Sequence, residues 1–130
     1  MKGETDLATL LKGASPVLNP GEYVFCTLAT PSQTLLASAV ATIKEQEGQT
    51  LVLPKALAEQ QGLEFAYVAA WITLTVHSDL AAVGLTAAFA SALARHQISC
   101  NVMAGYYHDH IFVAHRHGAK AVAVLNRLAT

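Results

Sequence analysis

The sequence predicts an α+β fold, a ferredoxin-like sandwich with antiparallel sheets and helices on one face, and residues 71–104 carry the main evidence. Residues 71–76 (WITLTV) are β-branched and aromatic, which is typical of a strand. Over residues 85–93 the apolar positions recur at steps of three and four, which indicates a helix buried along one face. Apolar and polar residues then alternate over residues 98–102, so a second strand follows. Such a β-α-β unit has parallel strands and a right-handed crossover.

The N-terminal part is predicted to hold a short helix and a strand. Residues 5–13 fit a helix that is capped by Thr5 or Asp6. Residues 15–21 (SPVLNPG) are turn material that keeps the connection extended. A strand is predicted over residues 22–28 (EYVFCTL) because its β-branched and aromatic residues favour a pleated surface.

Residues 35–47 (LLASAVATIKEQE) fit two kinds of element. Their apolar spacing and helix propensity favour a helix, whereas residues 40–43 (VATI) equally suit a strand. A strand follows at residues 50–53, and the proline after it suits the first turn of a helix at residues 55–61. Residues 63–76 then run extended, long enough for one strand or for two strands with a bend.

After the β-α-β unit, two strands are predicted at residues 99–107 and 111–115, joined by His108-Asp109-His110. The short polar link indicates an antiparallel hairpin. A last helix follows Gly118, so the second half has the order β-α-β-β-α and lacks one strand of a ferredoxin-like sandwich. Either an N-terminal strand such as Tyr23–Leu28 or a partner chain fills this gap, and we favour the first.

Composition limits the classes of protein that the chain can represent. Its 130 residues suit one compact domain or two half-sized lobes, and with 53% hydrophobic and 13% charged residues a folded core is expected. So few charges beside so much apolar surface indicate that another subunit covers a face, which predicts a homodimer or a higher homo-oligomer. The formal net charge of −1 gives no electrostatic basis for binding nucleic acid.

The sequence predicts a cytoplasmic protein without a membrane partner. The N-terminus carries acidic residues early and has no long apolar core, unlike a secretion signal. The longest apolar runs fall short of the ~20 residues that span a bilayer. Cys26 and Cys100 lie far apart in strand-like runs without a local motif, so we expect buried, reduced thiols.

Three segments together resemble the ACT domains, small-molecule-sensing βαββαβ modules. They are residues 71–78 (WITLTVHS), 83–86 (VGLT) and 97–102 (QISCNV). The segments GYYHDHIFV and EYVFC also look like stand-alone members of that family with a divergent N-terminal half. The resemblance covers roughly residues 18–128 and is strongest from 65 to 115.

The resemblance implies two fused ACT-like halves, residues 1–64 and residues 65–130, which share the extended region 63–76. It also implies that residues 40–43 form a strand rather than a helix. One departure is the usual acidic-x-Pro-Gly turn, which is longer here and lacks proline (DLAAVG, residues 79–84).

Gly84 is the first candidate for a binding site. A glycine where a loop meets a helix lets a ligand approach the backbone, and the free N–H groups there attract a carboxylate. The alternative is a glycine inside a longer helix 80–95. By the resemblance, an amino acid binds at an interface between ACT units, with Gly84, Leu85 and Thr86 on its carboxylate and Asp79 or Asn101 on its ammonium. The predicted ligand-binding residues are His77, Ser78, Asp79, Val83, Gly84, Leu85, Thr86 and Asn101.

The histidines are a second candidate. At alternate strand positions, His108 and His110 would lie on one face ~6.5 Å apart along the backbone, which suits two ligands of a divalent metal. His115 and His117 repeat the spacing, and folds that resemble ACT domains occur in nickel-sensing repressors. The favoured interpretation is nevertheless that these are surface or interface residues, with no metal site and no cofactor.

Evidence for catalysis is thin. His77, Ser78 and Asp79 are consecutive, and consecutive strand residues diverge instead of forming a triad. The sequence has no Gly-x-Ser-x-Gly, P-loop or Cys-x-x-Cys motif. Trp71 and the pair Tyr106-Tyr107 are interpreted as sheet packing.

The sequence therefore predicts a regulatory protein that binds a small molecule, most plausibly an amino acid, and is not an enzyme. The alternatives are a divalent-metal-binding protein that uses the histidines and a protein–protein interaction module with a vestigial pocket.

Overall fold

The computed structural model of the chain describes residues 6–75 and 83–128. The chain divides into two compact units, which we call the first unit (Gly21–Ala69) and the second unit (Met1–Pro20 with Ala70–Thr130). The predicted division between residues 64 and 65 stays a prediction. The elements in chain order are α1 (Leu7–Gly13), β1 (Pro16–Leu18), β2 (Tyr23–Leu28), α2 (Gln33–Ser38), β3 (Ala41–Lys44), β4 (Gln49–Pro54), α3 (Lys55–Gln60), β5 (Val68–Leu74), α4 (Leu85–Arg95), β6 (Cys100–Ala104), β7 (Asp109–Ala114) and α5 (Gly118–Arg127), with a 3₁₀ turn at His115–His117.

The first unit has the element order of a ferredoxin-like module. Its strands lie in the order β3-β4-β2-β5, and β5 enters with its first residues, where Tyr23 pairs with Ala69. β2 and β4 pair antiparallel over their whole length. Alternate residues of β2 and β4 therefore point toward α2 and α3. The four elements share one apolar core, formed by Val24, Cys26, Leu35, Leu51, Leu53 and Ala58.

The second unit repeats this arrangement with a strand taken from the N-terminus. Its strand order is β1-β5-β7-β6, and β1 pairs antiparallel with the end of β5 (Val17 opposite Thr73). β1 therefore supplies the strand that the order β-α-β-β-α lacks. The core of this unit is formed by β5, α4, β7 and α5, and its largest fully buried members are Ile72, Leu74, Phe89, Leu93, Ile111 and Leu125.

The prediction that an N-terminal strand fills the gap is confirmed, but the strand named for it, Tyr23–Leu28, is wrong. That strand pairs with β4 and the first residues of β5 in the first unit. The sequence does not reveal the strand Pro16–Leu18 because Pro16, Pro20 and Gly21 together are typical of a turn. Proline is tolerated as the first residue of an edge strand, since no ladder hydrogen bond needs its missing N–H.

Residues 35–47 contain both predicted kinds of element. Ser32 Oγ accepts from the N–H of Leu35 at 3.2 Å and so caps α2, which ends at Ser38. The strand implied by the resemblance is confirmed, since Ala41–Lys44 pairs antiparallel with β4. The helix that propensity favours for residues 35–47 is wrong at residues 41–44, because pairing with β4 outweighs the intrinsic preference of these residues.

The predicted hairpin is confirmed, but its turn lies earlier than expected. Gly105 donates to the carbonyl of His108 at 2.8 Å, whereas Asp109 and His110 already belong to β7. A Cβ on Gly105 would lie 2.8 Å from that carbonyl oxygen, so the tight turn requires glycine. In the described ranges no helix is long and apolar enough to cross a membrane.

Candidate functional site

The turn into α4 is built on a left-handed glycine. Gly84 has φ +93° and ψ −13° and is the N-cap of α4, with no side chain to cap the helix. Its carbonyl accepts the first helical hydrogen bond, from Ala88 at 2.9 Å. Residues with a Cβ are disfavoured at this φ. Helix 80–95, the alternative explanation for Gly84, does not fit because α4 begins at Leu85.

The start of α4 buries its leucine and exposes the residues on either side of the Gly84-Leu85 pair. Leu85 is 3% exposed and packs in the core, whereas Val83 is 84% exposed and Thr86 is exposed. The first amides of a helix have no intrahelical acceptor, and Gly84 offers them no side-chain oxygen. The N–H groups at this end are therefore suited to an external acceptor such as a carboxylate.

Helix α1 packs against the same turn. A Cβ on Gly84 would lie 3.3 Å from Leu7 Cδ2, closer than most contacts of a Cβ. Asp6 caps α1, since its Oδ2 accepts from Thr9 N at 3.0 Å and from Thr9 Oγ1 at 2.8 Å. These hydrogen bonds, led by the hydroxyl bond, lower the pKa of Asp6. Glycine at position 84 is thus required both by backbone conformation and by the neighbouring helix.

The predicted binding residues that the structure describes lie in two parts of the second unit. Val83, Gly84, Leu85 and Thr86 are consecutive at the start of α4. Asn101 is exposed on β6, just after the far end of α4, and an 11-residue helix is about 16 Å long. Asn101 and Gly84 therefore belong to opposite ends of α4, and their joint contact with one ligand stays a prediction. His77, Ser78 and Asp79 lie outside the described residues.

His110 is held by the side chains of β5. Trp71 Nε1 donates to His110 Nδ1 at 3.0 Å, and Thr73 Oγ1 lies 3.3 Å from the same nitrogen. Because the indole N–H is only a donor, His110 Nδ1 is an acceptor and the proton of the neutral ring is on Nε2. Burial lowers the pKa of His110, the nearby His108 lowers it further, and Asp109 opposes both.

Comparisons with known proteins give the family. Two ACT domain profiles match the sequence, one over residues 2–70 and one over residues 67–127. The chain belongs to the ACT domain family. ACT domains are regulatory modules that bind small molecules, so a ligand-binding regulatory role is supported for this chain.

Solved structures with the same fold agree with this assignment. A Vibrio cholerae protein of unknown function, described as a possible transport protein, is 50% identical, with a TM-score of 0.86 and coverage of 95% of this chain and 96% of that one. An Agrobacterium tumefaciens protein is 15% identical (TM-score 0.68, 89% of each chain). The regulatory subunit of aspartate kinase from Thermus flavus is 7% identical (TM-score 0.62, 89% of this chain and 97% of that one) and shares the fold. The search of curated proteins found no match.

The geometry of this ACT domain protein does not favour a metal site at His108 and His110. A metal-bound imidazole coordinates through a deprotonated nitrogen and donates a hydrogen bond from the other. In His110, Nδ1 accepts a hydrogen bond and Nε2 carries the proton. Coordination of a metal through Nε2 would move that proton to Nδ1 and break the hydrogen bond from Trp71. His108 lies in the turn rather than in β7, and within the described residues no group of three or more His, Cys, Asp or Glu is arranged for a metal.

Sequence reasoning missed the polar contacts around Trp71. Asn19 Nδ2 donates to the Trp71 carbonyl at 3.2 Å and to Thr73 Oγ1 at 2.9 Å. The Trp71 ring stacks on Phe112 with an interplanar angle of 16°, which confirms its interpretation as sheet packing. The only signal for Asn19 was its place in a turn, which predicts a local partner rather than one 52 residues away.

The same interpretation of Tyr106 and Tyr107 is wrong. Both lie in the β6–β7 turn, where Tyr106 is 65% exposed and Tyr107 is 57% exposed. Their rings contact each other edge to face, with the ring centroids 5.0 Å apart. The sequence predicts both tyrosines in a strand because it predicts the turn three residues later in the chain.

Proposed function

We propose that this ACT domain protein is a regulatory sensor that binds an amino acid and has no catalytic activity of its own. The observation that supports it is the uncapped start of α4 at the left-handed Gly84. Backbone N–H groups and the helix dipole favour a carboxylate at such a place. Thr86 is exposed beside them and adds a hydroxyl group.

The ammonium group of an amino acid needs acceptors that the start of α4 does not offer. The Asn101 carboxamide and the Asp79 carboxylate have the required chemistry, and His77 and Ser78 belong to the same proposed loop. Because Asn101 lies a helix length from Gly84, the proposal places the ligand between two copies, with Asn101 supplied by the second copy. This implies a homodimer or a higher homo-oligomer whose assembly changes with occupancy. A cytoplasmic location without nucleic-acid or membrane partners is part of the same proposal.

A thermal-shift panel of the standard amino acids, with and without Ni²⁺ and Zn²⁺, tests the proposal. A ligand at 100 times its dissociation constant stabilises the folded state by about 2.7 kcal/mol. We expect a shift with one or a few amino acids that Asn101→Ala and Thr86→Val both reduce. Asn126→Ala is the control, since it removes an exposed asparagine from α5.

Two results would contradict the proposal. A panel without any shift would favour an interaction module with a vestigial pocket. A shift with metal alone, lost in His108→Ala with His110→Ala, would assign the function to the histidines.

A further inference from the structure

Basic side chains collect at one end of the second unit. Among residues 84–128 the only acidic residue is Asp109, which is 7% exposed on β7. The basic residues of this stretch concentrate where α4 ends and α5 begins. We call this group the cationic end: Arg95, His96, His115, Arg116, His117 and Lys120.

The cationic end is one continuous surface from two elements. α4 ends at Arg95 with His96 as its C-cap, and the 3₁₀ turn at His115–His117 runs directly into α5. Lys120 Nζ donates to the His96 carbonyl at 3.5 Å, which joins the two parts. Arg95, Arg116 and Lys120 are all exposed.

The positive charge here is not balanced locally. The first turn of α5 has no acidic residue and no side-chain cap, although the N-terminal end of a helix is its positive end and favours acids. In the part of the chain that the structure describes, no carboxylate lies within ion-pair distance of Arg95, Arg116 or Lys120. Among the described residues only the C-terminal carbonyls of α4 offset these cations, and an anion would stabilise the arrangement further.

We propose that the cationic end binds a small phosphorylated anion. Guanidinium groups bind phosphate oxygens in pairs, and histidine and lysine add further donors. Packed helices lie about 8–10 Å apart, and arginine side chains are long enough for Arg95 and Arg116 to converge on one phosphoryl group or on two adjacent ones. The surface uses none of the residues proposed for the amino-acid site, so the two proposals can fail separately.

Isothermal titration of the full chain with inorganic pyrophosphate tests this proposal. Replacing Arg116 and Lys120 by Gln should weaken binding about tenfold or more, because each loses charge-assisted hydrogen bonds. Lys44→Gln is the control, since it removes one positive charge from an exposed position in the first unit, and each single variant, Arg116→Gln and Lys120→Gln, is compared with it. Binding should also weaken as salt is raised. Unchanged unfolding midpoints will show that the exposed substitutions leave the fold intact.

Three results would overturn the proposal. The first is no measurable heat at low salt with pyrophosphate. The second is equal loss of affinity in the double variant and in Lys44→Gln. The third is tighter binding of a poly-glutamate peptide than of pyrophosphate, which would assign the surface to an acidic protein partner.

Discussion

Substituting Gly84 by alanine will show whether the turn into α4 is as constrained as its geometry implies. Gly62→Ala is the reference, because Gly62 also has a positive φ, +67°, but a Cβ there would meet nothing within 4 Å. An L residue in the left-handed region costs about 1–2 kcal/mol. Gly62→Ala should cause that loss alone.

Gly84→Ala should cost more, for two reasons. Its φ of +93° lies further from the left-handed minimum near +57°. Its Cβ would also press on Leu7 Cδ2 at 3.3 Å, and overpacking typically costs about 1–3 kcal/mol. The smaller unfolded-state entropy of alanine is common to both variants and cancels in the difference. We expect Gly84→Ala to lose about 1 kcal/mol more than Gly62→Ala.

Urea unfolding measures both losses as changes in the free energy of unfolding. If the two units unfold in separate transitions, each variant is compared with its own unit. Leu7→Ala added to Gly84→Ala should recover the part that is due to the contact, which a double-mutant cycle isolates. A loss in Gly84→Ala no larger than in Gly62→Ala, or a zero coupling with Leu7, would refute the reasoning.

Two further predictions concern the second unit. Phe89 is fully buried on α4, so Phe89→Ala should lower the free energy of unfolding in urea by about 3–5 kcal/mol. Thr86→Ala, at an exposed position of the same helix, should lower it far less. Equal losses in the two variants would contradict the assigned core. The pKa of His110 is lower in the folded state than in the unfolded chain. As the pH falls below about 6.5, the unfolded chain therefore binds a proton more readily than the folded state, and the free energy of unfolding should decrease. Trp71→Phe removes the donor to Nδ1 and should raise the pKa of His110 in an NMR titration; an unchanged or lower value would contradict the assigned tautomer.

The predictable part of the fold is the part that local pattern determines. Period-two and helical spacing located β2, α4 and α5, because each has one mainly buried face that the sequence marks, and a short apolar run before a proline located β4. β1 could not be found in this way, since three residues between turn signals carry no period. Ala41–Lys44 was ambiguous for a related reason: only its pairing with β4 decides between strand and helix, and a pairing partner is not visible in local sequence.

For the site, the sequence identifies residue types but not their distances. Gly84 was predicted correctly as the residue before α4, because the apolar helical stripe starts at Leu85. The distance from Gly84 to Asn101 depends on the length of α4 and on the direction of β6, which only the fold supplies. The tautomer of His110 depends on Trp71, 39 residues away, so the paired histidines resembled metal ligands in sequence alone.

The N-terminal segment links the candidate site to the rest of the second unit. Leu7 on α1 contacts the turn at Gly84, and Leu18 on β1 contacts the first residue of α5, where a Cβ on Gly118 would lie 3.3 Å from Leu18 Cδ1. One stretch of about a dozen residues thus touches the starts of both long helices of the unit. Among the described residues, Leu7 is the side chain that a Cβ on Gly84 would meet within 4 Å. Under the proposed function, α1 is the element through which occupancy would change the surface that a second copy meets, because a ligand alters an equilibrium only through contacts that differ between the two states.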